Sequence, residues 1–206
     1  MFLQCIPTGM FGSNSYIIGD SGEAVVIDAG VSANEIIEVL NRNDLVLKYV
    51  ILTHGHLDHI CSVDELRNLT QAKLAIHEDD ADCMVNDVIN GSAMFDVPKT
   101  YKPAEILLKD GDTLKVGGQI LEVIHTPGHT VGGICIKAGQ HIFTGDTLFN
   151  MGIGRTDFPG GSRKQIITSI KEKLLTLDGN ITVHPGHGEP TTIAFERDNN
   201  PFLRRF

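Results

Sequence analysis

The stretch Thr53-His54-Gly55-His56-Leu57-Asp58-His59 puts three of the chain's nine histidines and one aspartate within six residues. Residues two apart in an extended segment point the same way, so His54 and His56 can grip one ion together. Asp58 and His59 stand where the chain turns into a helix and can aim at a second ion. A polar loop incidentally rich in histidine is the alternative, and the density argues against it. Further on, His129, Asp146 and His187 each follow a short apolar run and a glycine-bearing turn: Pro127-Gly128-His129-Thr130, Thr144-Gly145-Asp146 and Pro185-Gly186-His187-Gly188. The set is seven nitrogen and oxygen ligands with no thiolate among them. A structural zinc site closes on about four ligands, commonly with cysteine. Seven suffice for two divalent ions if one carboxylate, most simply Asp146, bridges them. Ions about 3.5–4 Å apart can share a hydroxide, lower its pKa toward neutrality and polarise a carbonyl. Nitrogen and oxygen ligands leave zinc, iron and manganese all open, and zinc is placed first.

These side chains need strands that deliver them to one place. Leu47–Leu52 reads as a buried strand and Ile60–Thr70 as a helix with apolar residues at 60, 63, 66 and 69. Strands are expected at Phe2–Ile6, Asn14–Ile18 and Ala24–Asp28, then at Lys73–His77. Asn14 reads as the polar edge of its strand or as a residue that faces a site, and the edge is preferred. Asp28 is either a residue that orients a ligand or an Asx turn. Ser32-x-x-Glu35 has the pattern of a capping box, and Glu78-Asp79-Asp80-Ala81-Asp82 that of an acidic helix start. Residues 83–104 read as a helix and then a loop with Pro98 and Pro103, long enough to overhang a site as a lid. Strands at Ile106–Leu108, Thr113–Val116, Gln119–Ile124, Ile134–Lys137, His141–Phe143 and Ile181–Val183 follow. Ser162 caps a helix whose inner face is Ile166, Ile170 and Leu174. His125 and His184 are expected to orient neighbouring ligands, His77 to be structural and His141 to lie on the surface.

A chain of 206 residues without an internal period fits one domain with a sizeable core. Its formal charge of −9 repels phosphate backbones, so nucleic acid is not an expected partner. Four cysteines at 5, 61, 83 and 135 form no Cys-x-x-Cys pair, which suits reduced thiols in a cytoplasm. The N-terminus lacks a basic region followed by a long apolar core, and no run is long enough to cross a membrane. The expectation is a soluble cytoplasmic protein, a monomer or weak homo-oligomer, acting on a small molecule. No Gly-x-Ser-x-Gly elbow is present to suggest a serine nucleophile.

His-x-His-x-Asp-His, followed by Pro-Gly-His-Thr, Thr-Gly-Asp and a late Gly-His-Gly, resembles the metallo-β-lactamase superfamily from Phe11 to Leu203. The resemblance implies an α/β fold, a four-layer αββα sandwich with metals in a cleft at one edge. It also implies that His54, His56 and His129 hold one metal, that Asp58, His59 and His187 hold the other, and that Asp146 bridges. Within the superfamily, Gly154-Arg155-Thr156-Asp157-Phe158-Pro159-Gly160-Gly161 and Asn200-Pro201-Phe202-Leu203 look most like the small glyoxalase II-like hydroxyacylglutathione hydrolases. That implies hydrolysis of thioesters of the S-lactoylglutathione type, with Asp58, Asp146 and Arg155 as catalytic candidates. Arg155 has two readings: it attracts a substrate carboxylate, or it pairs with Asp157 and stiffens its loop. Residues 1–206 would form the hydrolase domain without the C-terminal helical region of classical glyoxalase II. Alternatives are a single-iron persulfide dioxygenase, a lactonase or other ester hydrolase on the same core, and a metal-stabilised binding module without catalysis. Cys61 is expected to pack rather than react.

Overall fold

Valine and isoleucine alternate faces along the early strands, and that alternation sorts the chain into layers. In the computed structural model, which describes residues 1–203, β1 (Phe2–Ile6), β2 (Ser15–Asp20) and β3 (Glu23–Ile27) form an antiparallel meander. α1 (Ala33–Arg42) then crosses to β4 (Val46–Ile51), which pairs parallel to β3. α2 (Leu57–Ile60) and α3 (Val63–Thr70) lead to β5 (Lys73–His77), and a long connection ends in β6 (Ile106–Leu108). These make a six-stranded sheet in sequence order.

The second sheet opens with the antiparallel strands β7 (Thr113–Val116), β8 (Gln119–His125), β9 (Ile134–Ala138) and β10 (His141–Gly145). A two-stranded ribbon of β11 (Leu148–Phe149) and β12 (Gly152–Ile153) and the helix α4 (Arg163–Ser169) intervene. β13 (Thr182–Pro185) returns parallel to β10, and β14 (Thr191–Thr192) completes the order β14-β13-β10-β9-β8-β7 before α5 (Ile193–Asn199).

Ile18, Val25 and Ile27 face inward between the sheets and meet Val123, Ile136 and Phe143 of the second sheet. Their neighbours Ile17 and Val26 face outward, against Ile36 and Leu40 of α1 and Leu66 of α3. On the opposite face Ile142 and Val183 pack on Ile166, Ile170 and Ile193. The layers are therefore αββα, the fold class expected. Parallel pairing of β3 with β4 and of β10 with β13 brings their C-terminal ends to one edge, where the functional loops meet.

Several local expectations are corrected. The Ser32 side chain makes no cap bond, and Glu35 instead accepts from the Thr8 hydroxyl at 2.8 Å. The helix expected over 60–70 is broken at Cys61-Ser62, because Ser62 Oγ bonds back to the Val31 carbonyl and its N–H to Ala29. Glu78–Met84 forms 3-10 turns rather than an α-helix, since the central Asp80 is drawn inward. Residues 83–104 contain no α-helix; a short 3-10 turn, Ser92–Phe95, is pinned by Asn90, whose side chain donates to the carbonyls of Cys83 and Lys99.

Candidate metal centre

Asp28 terminates β3 with a left-handed backbone (φ 57°) that turns its carboxylate toward the next strand. Oδ1 accepts the Thr53 N–H, while Oδ2 accepts from the Thr53 hydroxyl and from His59 Nδ1, at 2.7, 2.7 and 2.9 Å. Of the two readings of Asp28, orientation of a histidine is the one the structure adopts. Its effect is chemical. A proton held on His59 Nδ1 leaves Nε2 as a bare lone pair aimed into the cleft. The Arg155 carbonyl does the same for His129, accepting from its Nδ1–H at 2.7 Å and leaving Nε2 for the cleft.

Those lone pairs converge. His56 Nδ1 lies 2.9 Å from His129 Nε2, and His59 Nε2 lies 3.3 Å from His187 Nε2. Candidate ligand atoms of His54, His56 and His129 lie within 4.8 Å of one another, as do those of Asp58, His59 and His187. Asp146 stands between the two trios: Oδ2 is 3.6 Å from His129 Nε2, and Oδ1 is 3.3 Å from His59 Nε2 and 3.6 Å from that of His187. His187 also approaches Asp58 Oδ2 at 3.2 Å. All seven residues singled out by spacing thus gather in one cleft, with a carboxylate oxygen turned to each side.

The donor set fits cations. His54 Nε2 and Asp146 Oδ1 are buried without any hydrogen-bond partner among the described residues. A buried polar atom left in that condition costs free energy that a cation would recover. Burial, reinforced by neighbouring histidines, pushes His54 well below the ordinary imidazole range and His56 down to about 3. Both therefore stay neutral, the form that ligates. Burial opposes charge on Asp146 and His59 alike, but each overcomes it for the other: Asp146 is held far below the carboxylate range and His59 well above the imidazole range. The cleft thus demands positive charge, supplied by a proton where no cation is bound.

Backbone closeness is needed at two glycines. A Cβ at Gly186 would strike Asp146 Oδ1, and one at Gly154 would strike the Asp146 carbonyl oxygen. Asn14, read as a strand edge, is buried and donates to the carbonyls of Pro185 and Gly188 at 3.0 and 2.9 Å, clamping the turn that presents His187. Asp80, read as part of a helix start, accepts from Gly55 N–H, Thr130 Oγ1 and Gly132 N–H at 3.2, 2.7 and 2.7 Å. It ties the His54-His56 loop to the His129 loop. The local pattern decides for neither role, because the partners lie far away along the chain.

The remaining histidines take other places. His125 stacks on His77 with ring centroids 4.0 Å apart and bonds the Val131 carbonyl, and His184 pairs with His141 at 3.0 Å and stacks on Phe143. Neither His125 nor His184 orients a member of the set, and His141 is half-buried rather than on the surface. His77, Asp79 and His125 lie near one another, but the two rings are inclined by only 13°. Their in-plane lone pairs run side by side and do not converge. Cys61 packs as expected, its thiol donating to the Gly30 carbonyl.

Above the cleft lies a cavity of about 330 Å³, floored by His56, Asp58, His129, Asp146 and His187. Part of the 83–104 segment forms its wall, anchored by the Leu57 N–H to the Asn90 carbonyl at 2.9 Å. Arg155 reaches the rim, where its Nε and Nη2 donate to the Asp157 carboxylate at 2.7 Å each and its guanidinium lies 3.9 Å from the Phe158 ring centre. The Asp157 contact of the loop-stiffening reading is present, and the guanidinium that would meet a substrate carboxylate stands at the same rim.

The metallo-beta-lactamase superfamily model matches residues 8–187. A probable metallo-hydrolase, YqgX of Bacillus subtilis, is 35% identical over 98% of this chain and 97% of its own. The hydroxyacylglutathione hydrolase GloC of Haemophilus influenzae is 36% identical over 98% of each. Among solved structures, the BLEG-1 B3 metallo-beta-lactamase superposes with a TM-score of 0.94 at 36% identity, covering 98% of this chain and all of that one.

Proposed function

The chain belongs to the metallo-beta-lactamase superfamily, and from that premise we propose that it is a two-metal hydrolase of small-molecule thioesters of the 2-hydroxyacyl-thiol type. The observation that carries the proposal is Asp146, whose two oxygens face separate histidine-bearing trios on the floor of one cavity. His54, His56 and His129 would hold one divalent cation, Asp58, His59 and His187 the second, with Asp146 shared. Zinc is the first candidate, with iron and manganese as alternatives. Two cations bound there would lower the pKa of a shared water toward neutrality and polarise a substrate carbonyl.

The chain's own contribution is placement. Asp28 and the Arg155 carbonyl hold protons away from the ligating nitrogens of His59 and His129. Asp58 and Asp146 supply the negative charge that keeps two cations close, and part of the 83–104 segment walls the cavity. The similarity to GloC supports a thioester substrate. The similarity to BLEG-1 favours a second reading, β-lactam hydrolysis, on the same residues.

A panel of thioesters, lactones, β-lactams and glutathione persulfide, assayed on protein of known metal content, tests this. The expected result is close to two ions per chain and turnover of thioesters. No turnover of any thioester would refute the main reading. Full activity with one tightly held ion would refute the two-metal part and favour the persulfide alternative.

A further inference from the structure

The wall of the cavity is unusual for a protein surface: it is made of large apolar side chains left open to solvent. Phe11 is 60% exposed, Val88 59%, Met94 60% and Phe95 46%, and all four line the cavity beside the metal centre. They come from two segments far apart in the chain, and the Phe11 and Phe95 rings meet with centroids 4.7 Å apart. Phe11 also sits in the left-handed backbone region, at φ 56° and ψ 19°. A bulky side chain is a genuine outlier there, and such strain collects at sites that bind. A glycine would satisfy the turn at lower cost; the ring is what the position gains.

Charge points the same way. Among the described residues lining the cavity, Arg155 is the one arginine or lysine, and its guanidinium is engaged by Asp157 and covered on one face by Phe158. Away from the histidine-bearing floor, a carboxylated arm meets no lysine and only an arginine already paired with Asp157, whereas an apolar arm finds an aromatic wall. The volume, about 330 Å³, is near the lower end of small-molecule sites, roughly 300–1,000 Å³.

We propose that this wall selects thioesters bearing a small, uncharged, apolar arm, docked on Phe11 and Phe95, over thioesters whose arms are polar or carboxylated. The inference rests on the thioesterase reading of the site, and its test separates the two. Three thioethers of N-acetylcysteamine, which cannot be hydrolysed, would be titrated calorimetrically into zinc-loaded protein: S-hexyl, S-methyl and S-(5-carboxypentyl). The hexyl compound should bind about tenfold tighter than either of the others, a fraction of what full burial of its extra methylenes would give on an open wall. Phe11→Gly and Phe95→Ala should each erase most of that preference. Phe11→Gly should do so with an unchanged or raised melting temperature, an outcome that a purely structural role for the ring does not allow.

Equal affinity for all three compounds would overturn the proposal, as would a chain-length preference that survives both substitutions. A second copy of the chain covering the patch would also overturn it. That would appear as dimerisation in sedimentation velocity, abolished by Phe95→Ala. Failure of the thioesterase reading shows elsewhere, as binding of the hexyl probe by protein that turns over no thioester of any arm.

Discussion

A single proton decides whether His59 can serve the second trio. With the Asp28 carboxylate accepting from Nδ1–H, it is Nε2 that faces Asp58, Asp146 and His187. Asp28→Asn keeps the shape but can turn an N–H toward His59 Nδ1, which then accepts, and the proton moves to Nε2 where a cation should bind. Loss of such an orienting partner typically weakens metal affinity by about 10–100-fold. The expected outcome is protein that retains about one ion after dialysis against limiting metal, measured by elemental analysis, with unchanged circular dichroism. Retention of two ions would show that Asp28 is merely structural. Asp146→Asn should act more drastically, because an amide cannot offer an anionic oxygen to both sides; turnover should vanish while the protein stays folded. At this scale the sequence was generous with the seven candidate ligands, since each is a His or Asp placed just past an apolar strand. It left Asp28 and Asn14 each between two readings, because what decides them lies far along the chain: His59 for one, the Pro185 and Gly188 carbonyls for the other.

Loops, rather than strands or helices, are where the elements of the site are locked together, and Asp80 is the clearest case. One buried carboxylate takes donors from the loop after β4 and from the loop between β8 and β9. Asp80→Ala would leave the Gly55 and Gly132 N–H groups and the Thr130 hydroxyl without an acceptor. At about 1–3 kcal/mol for each buried group left unpaired, a loss of at least ~3 kcal/mol of stability is expected, read from urea unfolding. Occupancy of the His54-His56-His129 side should fall in the same protein. A variant with wild-type stability and metal content would show that the loops hold without this tie. The acidic run 78–82 gave no warning of it, because helix-start chemistry and a buried tether use the same residue types. The same ambiguity explains the missed break at Cys61-Ser62 and the unformed cap at Ser32: each local pattern was sound, and tertiary partners at Ala29, Val31 and Thr8 outcompeted it. The strands were legible because their alternation reports the two faces directly, as at Ile17 and Ile18.

Across the whole molecule, metal binding and folding should be separable. The sandwich is held by three apolar clusters, between the sheets and under the helices on each outer face. Fully burying each valine or isoleucine contributes roughly 1.5–3 kcal/mol relative to exposure, and dozens of apolar side chains are buried here. A domain so built does not need an ion to fold, unlike a small zinc module whose ligands are most of its core. Yet the cleft concentrates Asp58 and Asp146 beside four close-set imidazole nitrogens, and an ion there binds only the native state. Linkage then gives about 2.7 kcal/mol of stabilisation per site at a hundredfold excess of free metal over its dissociation constant. For a chain of this size each kcal/mol moves the midpoint by roughly 2–4 °C. Chelated protein should therefore unfold cooperatively with native far-ultraviolet circular dichroism, at a midpoint lower by about 5–10 °C per site vacated. The midpoint should climb with the logarithm of added zinc. A chelated protein that loses its circular dichroism or its cooperative transition would mean that the ions are part of the core, and that the strands do not pack without them.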